Sequence, residues 1–260
     1  MHRVAALVRR DLKRQWLSKS WLVLTVVEPT SYLLVFALVF SRQIQAIASQ
    51  GMSLPYVAFV IPGLLALQTI QMFHVQVSLS SGDRRWGVLL LSSMAGMRPA
   101  EYVLAHAISR GSVAFLQSGM ILAVGSLVTP LDLAPASALR VLMGVTAWTS
   151  SVILWTSVGV MVGARVASEQ KRDILWSLLN LPLMFTSSAF YEVKQGPAVI
   201  AALSRLNPLT YCADTLRSCL YNERLAVSWE LALLVFLAVA AAALCPRVLA
   251  STSLLRQPGN

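Results

Sequence analysis

Residues 21–40, WLVLTVVEPTSYLLVFALVF, hold one ionisable side chain, Glu28, among positions that are otherwise apolar or uncharged. Twenty helical residues at about 1.5 Å each cover about 30 Å, the hydrocarbon thickness of a bilayer. A charge inside such a span costs a few kcal/mol or more, so it faces a partner or a pathway. Glu28 lies about 11 Å in from the Trp21 end of that helix. Protonation, pairing with a basic residue and contact with a cationic substrate all fit it.

Runs of the same kind follow at about 56–79, 103–128, 141–163, 174–190 and 229–248. The fifth is short and interrupted by Asn180 and Pro182, which predicts a broken helix. The expected fold is all-α: a polytopic membrane protein of six transmembrane helices. Composition agrees, at 57% hydrophobic, 12% charged and a mean hydropathy of +0.67, against about 25% charged residues in soluble domains. Six spans use nearly half of 260 residues, so residues 1–260 read as a single membrane domain with short connections.

The net charge of +10 does not point to nucleic acid, because the basic residues sit in the connections between apolar runs. They also sit unevenly. The N-terminal segment (Arg3, Arg9, Arg10, Lys13, Arg14, Lys19), the second and fourth connections (Arg84, Arg85, Arg98, Arg110; Arg165, Lys171, Arg172) and the C-terminal segment (Arg247, Arg256) hold fifteen, against six on the other side. By the positive-inside rule both termini are expected in the cytoplasm. Cys212, Cys219 and Cys245 make no disulfide framework; the first two fit either a pair or small apolar filler.

Residues 3–16 predict a basic amphipathic helix within an interfacial segment 1–20. Val4, Leu7, Val8, Leu12 and Trp16 follow helical spacing, with Arg3, Arg10, Lys13 and Arg14 opposite and Asp11 near the apolar edge. Such a helix lies in the membrane interface. Arg9, Arg10, Asp11 and Lys13 are candidates for contact with a cytoplasmic partner.

Three segments carry a resemblance. The first is Arg10-Asp11-Leu12-Lys13 followed by Glu28-Pro29. The second is Pro62-Gly63-Leu64-Leu65, then Asp83-Arg84-Arg85-Trp86-Gly87-Val88-Leu89-Leu90-Leu91. The third is Leu206-Asn207-Pro208-Leu209-Thr210-Tyr211 with Asp214 and Arg217. In this order over a six-span plan, the chain resembles the permease subunits of type-2 ABC exporters, in the drug-export and nodulation-factor-export branch. Arg85 stands where that family usually has an acidic residue, and Leu90 at a further acidic position.

The resemblance implies a permease driven by separate ABC ATPase subunits, with ATP and magnesium bound there and no cofactor, metal or catalytic residue in this chain. The sequence holds no GxxxxGK[ST] phosphate loop. Connection 82–102 is then the coupling element: Leu89, Leu90, Leu91 and Met94 supply apolar packing, and Arg84 and Arg85 charge, around Trp86 and Gly87. The resemblance also implies a re-entrant helical pair within 191–228, before the last span. Pro197–Leu203 and Pro208–Leu220 fit its two helices, with Asn207 as cap and Asp214 and Arg217 spaced to pair.

The substrate route is less sharply marked. Gln68, Gln71, His74, Ser78 and Ser81 form one polar stripe on the second span, with Gln76 opposite. The stripe fits interhelical hydrogen bonding or a pathway lining, the latter with Glu28 and Asn180. With no internal repeat, a route of useful width needs a second copy or a sister subunit, beside membrane lipids. An amphipathic or lipid-like cargo is expected: a drug, a lipid or a lipid-linked glycan, exported across the plasma (bacterial inner) membrane. Aromatics at 8% argue against a polysaccharide channel. The alternative is a secondary transporter or channel without an ATPase, which predicts charge pairs deep in several spans. A membrane-embedded enzyme predicts a His/Asp/Glu cluster at one depth, and His2, His74 and His106 make none.

Overall fold

The computed structural model describes residues 2–16, 27, 30–41, 43–44, 46–49, 52–166, 168–193, 196–222 and 229–251. Glu28, Pro29 and residues 21–26 lie outside these, so the first span enters the description only through the helical stretch 30–40, which ends in a π-helical turn, Phe36–Phe40. The other helices are α1 (His2–Trp16), α2 (Tyr56–Arg85), α3 (Val88–Met94), α4 (Pro99–Val128), α5 (Ala138–Gly163), α6 (Glu169–Phe185), α7 (Ala198–Ser204), α8 (Pro208–Tyr221) and α9 (Trp229–Ser251).

Four of them, α2, α4, α5 and α9, are long and apolar enough to cross a membrane. α6, at 17 residues, is not among them and lies at the short end of the spanning range. It also runs unbroken through Pro182, which corrects the expected interruption at Asn180–Pro182. Pro182 lies three residues before the helix end, so it frees only the Leu178 carbonyl, near a terminus where carbonyls are unpaired anyway.

The axis of the bundle is α2. Its most apolar window is 94% buried, as befits a helix apolar on every side. α5 packs directly on it at Gly159 and Gly163. A Cβ added at Gly163 would lie 2.6 Å from the Val77 carbonyl oxygen, and one at Gly159 2.8 Å from Gln76 Cβ. Small residues one turn apart thus let two backbones approach, as in small-xxx-small membrane contacts. Thr69 and Ser151 hydroxyls bond at 2.6 Å in the same interface. Gly163→Ala should lower stability by about 1–3 kcal/mol through overpacking. Gly119→Ala, where nothing lies within 4 Å, should hold or slightly raise the thermal midpoint of the purified chain, since alanine is the better helix former.

Residues 41–55 are not a plain connection. Ala46–Ser49 (β1) and Met52–Pro55 (β2) form an antiparallel hairpin with Ala46 opposite Pro55. It covers the start of α2, and Ser49 Oγ donates to Glu192 at 2.5 Å. Phe36 stacks on Phe190, with centroids 4.2 Å apart, closing the same end. Cys212, Cys219 and Cys245 are free thiols.

Candidate functional site

At the end opposite the hairpin, α2 runs on as a helix to Arg85, beyond the apolar run that ends near Leu79. Trp86 caps it, and Gly87, at φ +70°, turns the chain directly into α3. Only glycine adopts this left-handed conformation without strain. α3 then ends in Gly96 at φ +73°, with Gly96 N donating to Ser93 O at 2.9 Å and Met97 N to Ser92 O at 3.0 Å. This paired closure is a Schellman motif. α3 is therefore a short helix fixed between two glycine turns.

Its faces differ. Leu89 is buried against Leu7, Tyr102, Val103 and Leu249. Trp86, Leu91 and Met94 stand 79%, 64% and 77% exposed, and Leu90 37%. The two arginines beside them are not free. Arg84 donates to the Ala164 carbonyl at 2.7 Å, and Arg85 pairs with Glu169 at 3.0 Å. They hold the α5–α6 connection, aided by Ser81 Oγ, which donates to Val166 O at 2.9 Å.

Behind α3 lies a buried ionic cluster that joins three helices. Asp83, on α2, accepts from Tyr102 Oη at 3.0 Å and from Arg10 at 3.1 Å. Arg10 also pairs with Asp11 at 2.8 Å. His106, on α4 and fully buried, places Nδ1 3.0 Å from Asp11 and Nε2 3.7 Å from Asp83. Arg110 is buried one turn further along α4, with the buried Gln15 of α1 against it. The N-terminal end of α1 is tied in as well, with Arg3 donating to the Gly96 carbonyl.

Asp11 therefore sits at the centre of the buried face of α1 with Leu7 and Gln15, not at its edge. Its carboxylate is spent inside the chain, and so is Arg10; Arg9 and Lys13 remain on the exposed face. Arg110, counted above with the second connection, belongs inside α4. Burial works to raise the Asp11 carboxyl, but His106 and Arg10 outweigh it and hold it below the ordinary carboxylate range. Arg10 is likewise shifted: burial lowers its guanidinium, and Asp83 and Asp11 together raise it above its ordinary value.

Of the expected pathway residues, Glu28 lies outside the described residues and the others lie along α2 and α6. Gln68 is 2% exposed on α2, and its Oε1 has no hydrogen-bond partner among the described residues. His74 stacks on Trp176 of α6, with centroids 5.0 Å apart, and lies 3.8 Å from Asp173. Gln71 is one turn from His74, and Asn180 one turn beyond Trp176; both are half-buried along this α2–α6 contact. Gln76 faces α5 and donates to Ser80 at 2.9 Å.

The Asn207–Arg217 motif is a structural node at the hairpin end. Asn207 caps α8, its Oδ1 accepting from Leu209 N at 3.0 Å, while its Nδ2 donates to Leu183 O at 2.7 Å. Pro208 fills the first turn, where its missing N–H costs nothing. Thr210 shares a hydroxyl contact with Ser204 at 3.1 Å, and Tyr211 Oη donates to Arg205 O. Arg217, fully buried, pairs with Asp214 at 2.6 Å and donates to Ser188 O at 2.8 Å. It also lies over the Phe59 ring, 3.9 Å from its centroid.

A helical bundle with four helices long and apolar enough to span fits a multi-pass membrane protein. The chain belongs to the ABC-2 type transporter family, whose model matches residues 2–221. No curated protein matches it. Membership makes the chain a transmembrane permease of an ABC transporter, a membrane transport component. Permeases of this family are generally not catalytic themselves and generally partner with ABC ATPase subunits.

Proposed function

We propose that the chain is the permease subunit of an ATP-driven exporter, and that α3 seats in a cleft of a separate ATPase subunit. The observation that carries this is the exposure of Leu91 and Met94 on one short helix and of Trp86 at the turn that leads into it. That helix sits among arginines at the end of the bundle where basic residues predominate. Such an end faces the cytoplasm, where apolar side chains are sheltered only by a partner. Aromatic and methionine anchors with a polar rim are typical of a protein interface core.

On this reading the first span and α6 complete six spans around the four long helices. Both termini are cytoplasmic, α1 lies at the membrane interface, and α7–α8 dip into the outer leaflet as a re-entrant pair. Two copies, or this chain with a sister permease, enclose the route, and two ATPase subunits bind ATP and magnesium. The α2–α6 contact, near Gln71, His74 and Asn180, is the part of this copy that meets an amphipathic or lipid-like cargo. The chain resides in the plasma (bacterial inner) membrane, in the drug-export and nodulation-factor-export branch.

Cross-linking tests the seat. With an ABC ATPase subunit co-expressed from the same genome, Met94→Cys is expected to link to it through a short bis-maleimide. Leu127→Cys, 86% exposed at the far end of α4, is expected not to. Linkage at neither position, or at both alike, contradicts the proposal.

A further inference from the structure

A cavity of about 310 Å³ opens at the hairpin end, away from α3. It lies between the turn after α6, helix α7, the start of α8 and the start of α9. Small-molecule sites occupy about 300–1,000 Å³.

Its walls are pinned before any ligand arrives. Asp214, on α8, pairs with the buried Arg217 at 2.6 Å and accepts from Ser188 Oγ at 2.6 Å. Glu192 accepts from Ser49 Oγ of the hairpin at 2.5 Å. Ser204 and Thr210 share a hydroxyl contact at 3.1 Å across the α7–α8 turn. A site fixed in this way loses little freedom on binding.

Two features of the lining act on a ligand. The first is aromatic. Tyr211 and Trp229 both line the cavity, with ring centroids 5.6 Å apart and planes 67° apart. Two such rings make a corner, and aromatic faces attract a cation that carries an apolar skin. The second is charge. Glu192, Asp214 and Glu230 line the cavity, together with Arg205, the exposed residue that ends α7. Arg217 stands behind Asp214. Among the described residues, these three carboxylates and two guanidiniums leave one negative charge, which a monovalent cation cancels.

The same lining disfavours other ligands. An anion is repelled by the excess of carboxylate. Among the described residues no group of three His, Cys, Asp or Glu side chains could hold a metal ion.

We infer that this cavity binds an organic ammonium group, with Tyr211 and Trp229 against its methyl or methylene skin and Glu192 and Glu230 supplying the countercharge. The site is separate from the α2–α6 contact. On the permease reading it opens away from the cytoplasm, so the ammonium belongs to a soluble cation outside or to an outer-leaflet lipid headgroup. The binding itself does not rest on that reading.

The test is equilibrium binding of radiolabelled choline to the purified full chain in phosphatidylglycerol nanodiscs. Saturable binding over empty nanodiscs is expected, and dimethylbutanol, the uncharged carbon isostere of choline, should fail to compete. Trp229→Leu and Glu230→Gln should each weaken binding about five- to tenfold. Trp229 is mostly exposed, so the thermal midpoint of its variant should stay near wild type. In phosphatidylcholine nanodiscs, loss of choline binding assigns the site to lipid headgroups, and unchanged binding assigns it to a soluble cation. Three results each overturn the inference: no saturable binding in phosphatidylglycerol, competition by the isostere equal to that of unlabelled choline, or an affinity unchanged in both variants. Should a variant fail to fold, the isostere comparison decides alone. None of these results involves α3, so the permease reading stands or falls separately.

Discussion

Arg217→Leu is expected to leave little folded protein. The guanidinium is fully buried, and four of its contacts cross between elements or close a turn: Asp214, the Ser188 and Phe59 carbonyls, and the Phe59 ring. Removing one partner of a buried ion pair costs about 3–5 kcal/mol, because the other charge stays behind uncompensated. Here the stranded group is Asp214, with Ser188 Oγ, at 2.6 Å, as a remaining donor. The loss also frees the Ser188 carbonyl and unpins α8 from the start of α2. Against a typical total stability of about 5–15 kcal/mol, the variant should elute largely as aggregate from detergent, with a clearly lowered thermal midpoint. The double variant Arg217→Leu/Asp214→Leu should recover part of the loss, since it removes the stranded carboxylate. An Arg217→Leu protein that melts with the wild type would contradict this account of the node.

The second large effect is functional. Trp86→Asp/Leu91→Asp/Met94→Asp replaces three side chains that are mostly exposed, so the fold should lose little, as is usual for surface positions. The same three are the apolar anchors of the proposed seat. Central anchors at interfaces cost about 2 kcal/mol or more each when removed, and three carboxylates would have to be buried in their place. Co-purified ATPase should fall at least about tenfold, while monodispersity and melting of the permease alone stay near wild type. Unchanged co-purification would place the contact elsewhere. Arg84→Glu is a poorer probe, because Arg84 holds the Ala164 carbonyl and its loss would disturb the α5–α6 connection as well.

Much of the architecture was legible because hydropathy and length are local signals. The apolar runs placed α2, α4, α5 and α9 within a few residues. α2 outlasts its apolar run because Ser80, Ser81, Asp83, Arg84 and Arg85 are buried or paired within the protein. The Asn207-Pro208 cap was legible for the same reason, being a contact between near neighbours in sequence. The hairpin 46–55 was not, since its short strands have no clear alternation and depend on Glu192 and the start of α2 for cover.

What the sequence hid were contacts between distant residues. Asp11 was visible as an intrusion near the apolar edge, but its partner His106 lies beyond the first two spans, and no spacing rule links the two. Arg217 reaches the Phe59 carbonyl across a separation of 158 residues. The triplet Leu89–Leu91 cannot point one way on a helix, so which leucine faces outward depends on α1 and α9. One usable signal was passed over: Gly159 and Gly163, four apart in GVMVG, mark the close contact of α5 with α2. Glu28 falls outside the described residues.

On the proposed reading, this chain and an ATPase subunit are coupled through α3. The direct measurement is ATP turnover by an ABC ATPase subunit in proteoliposomes: alone, with the wild-type chain, and with the Trp86→Asp/Leu91→Asp/Met94→Asp chain. A turnover rate that changes several-fold with the wild-type chain and returns to the ATPase-alone value with the variant is the predicted result. A rate identical in all three preparations, or one that the variant alters as fully as the wild type, would contradict it.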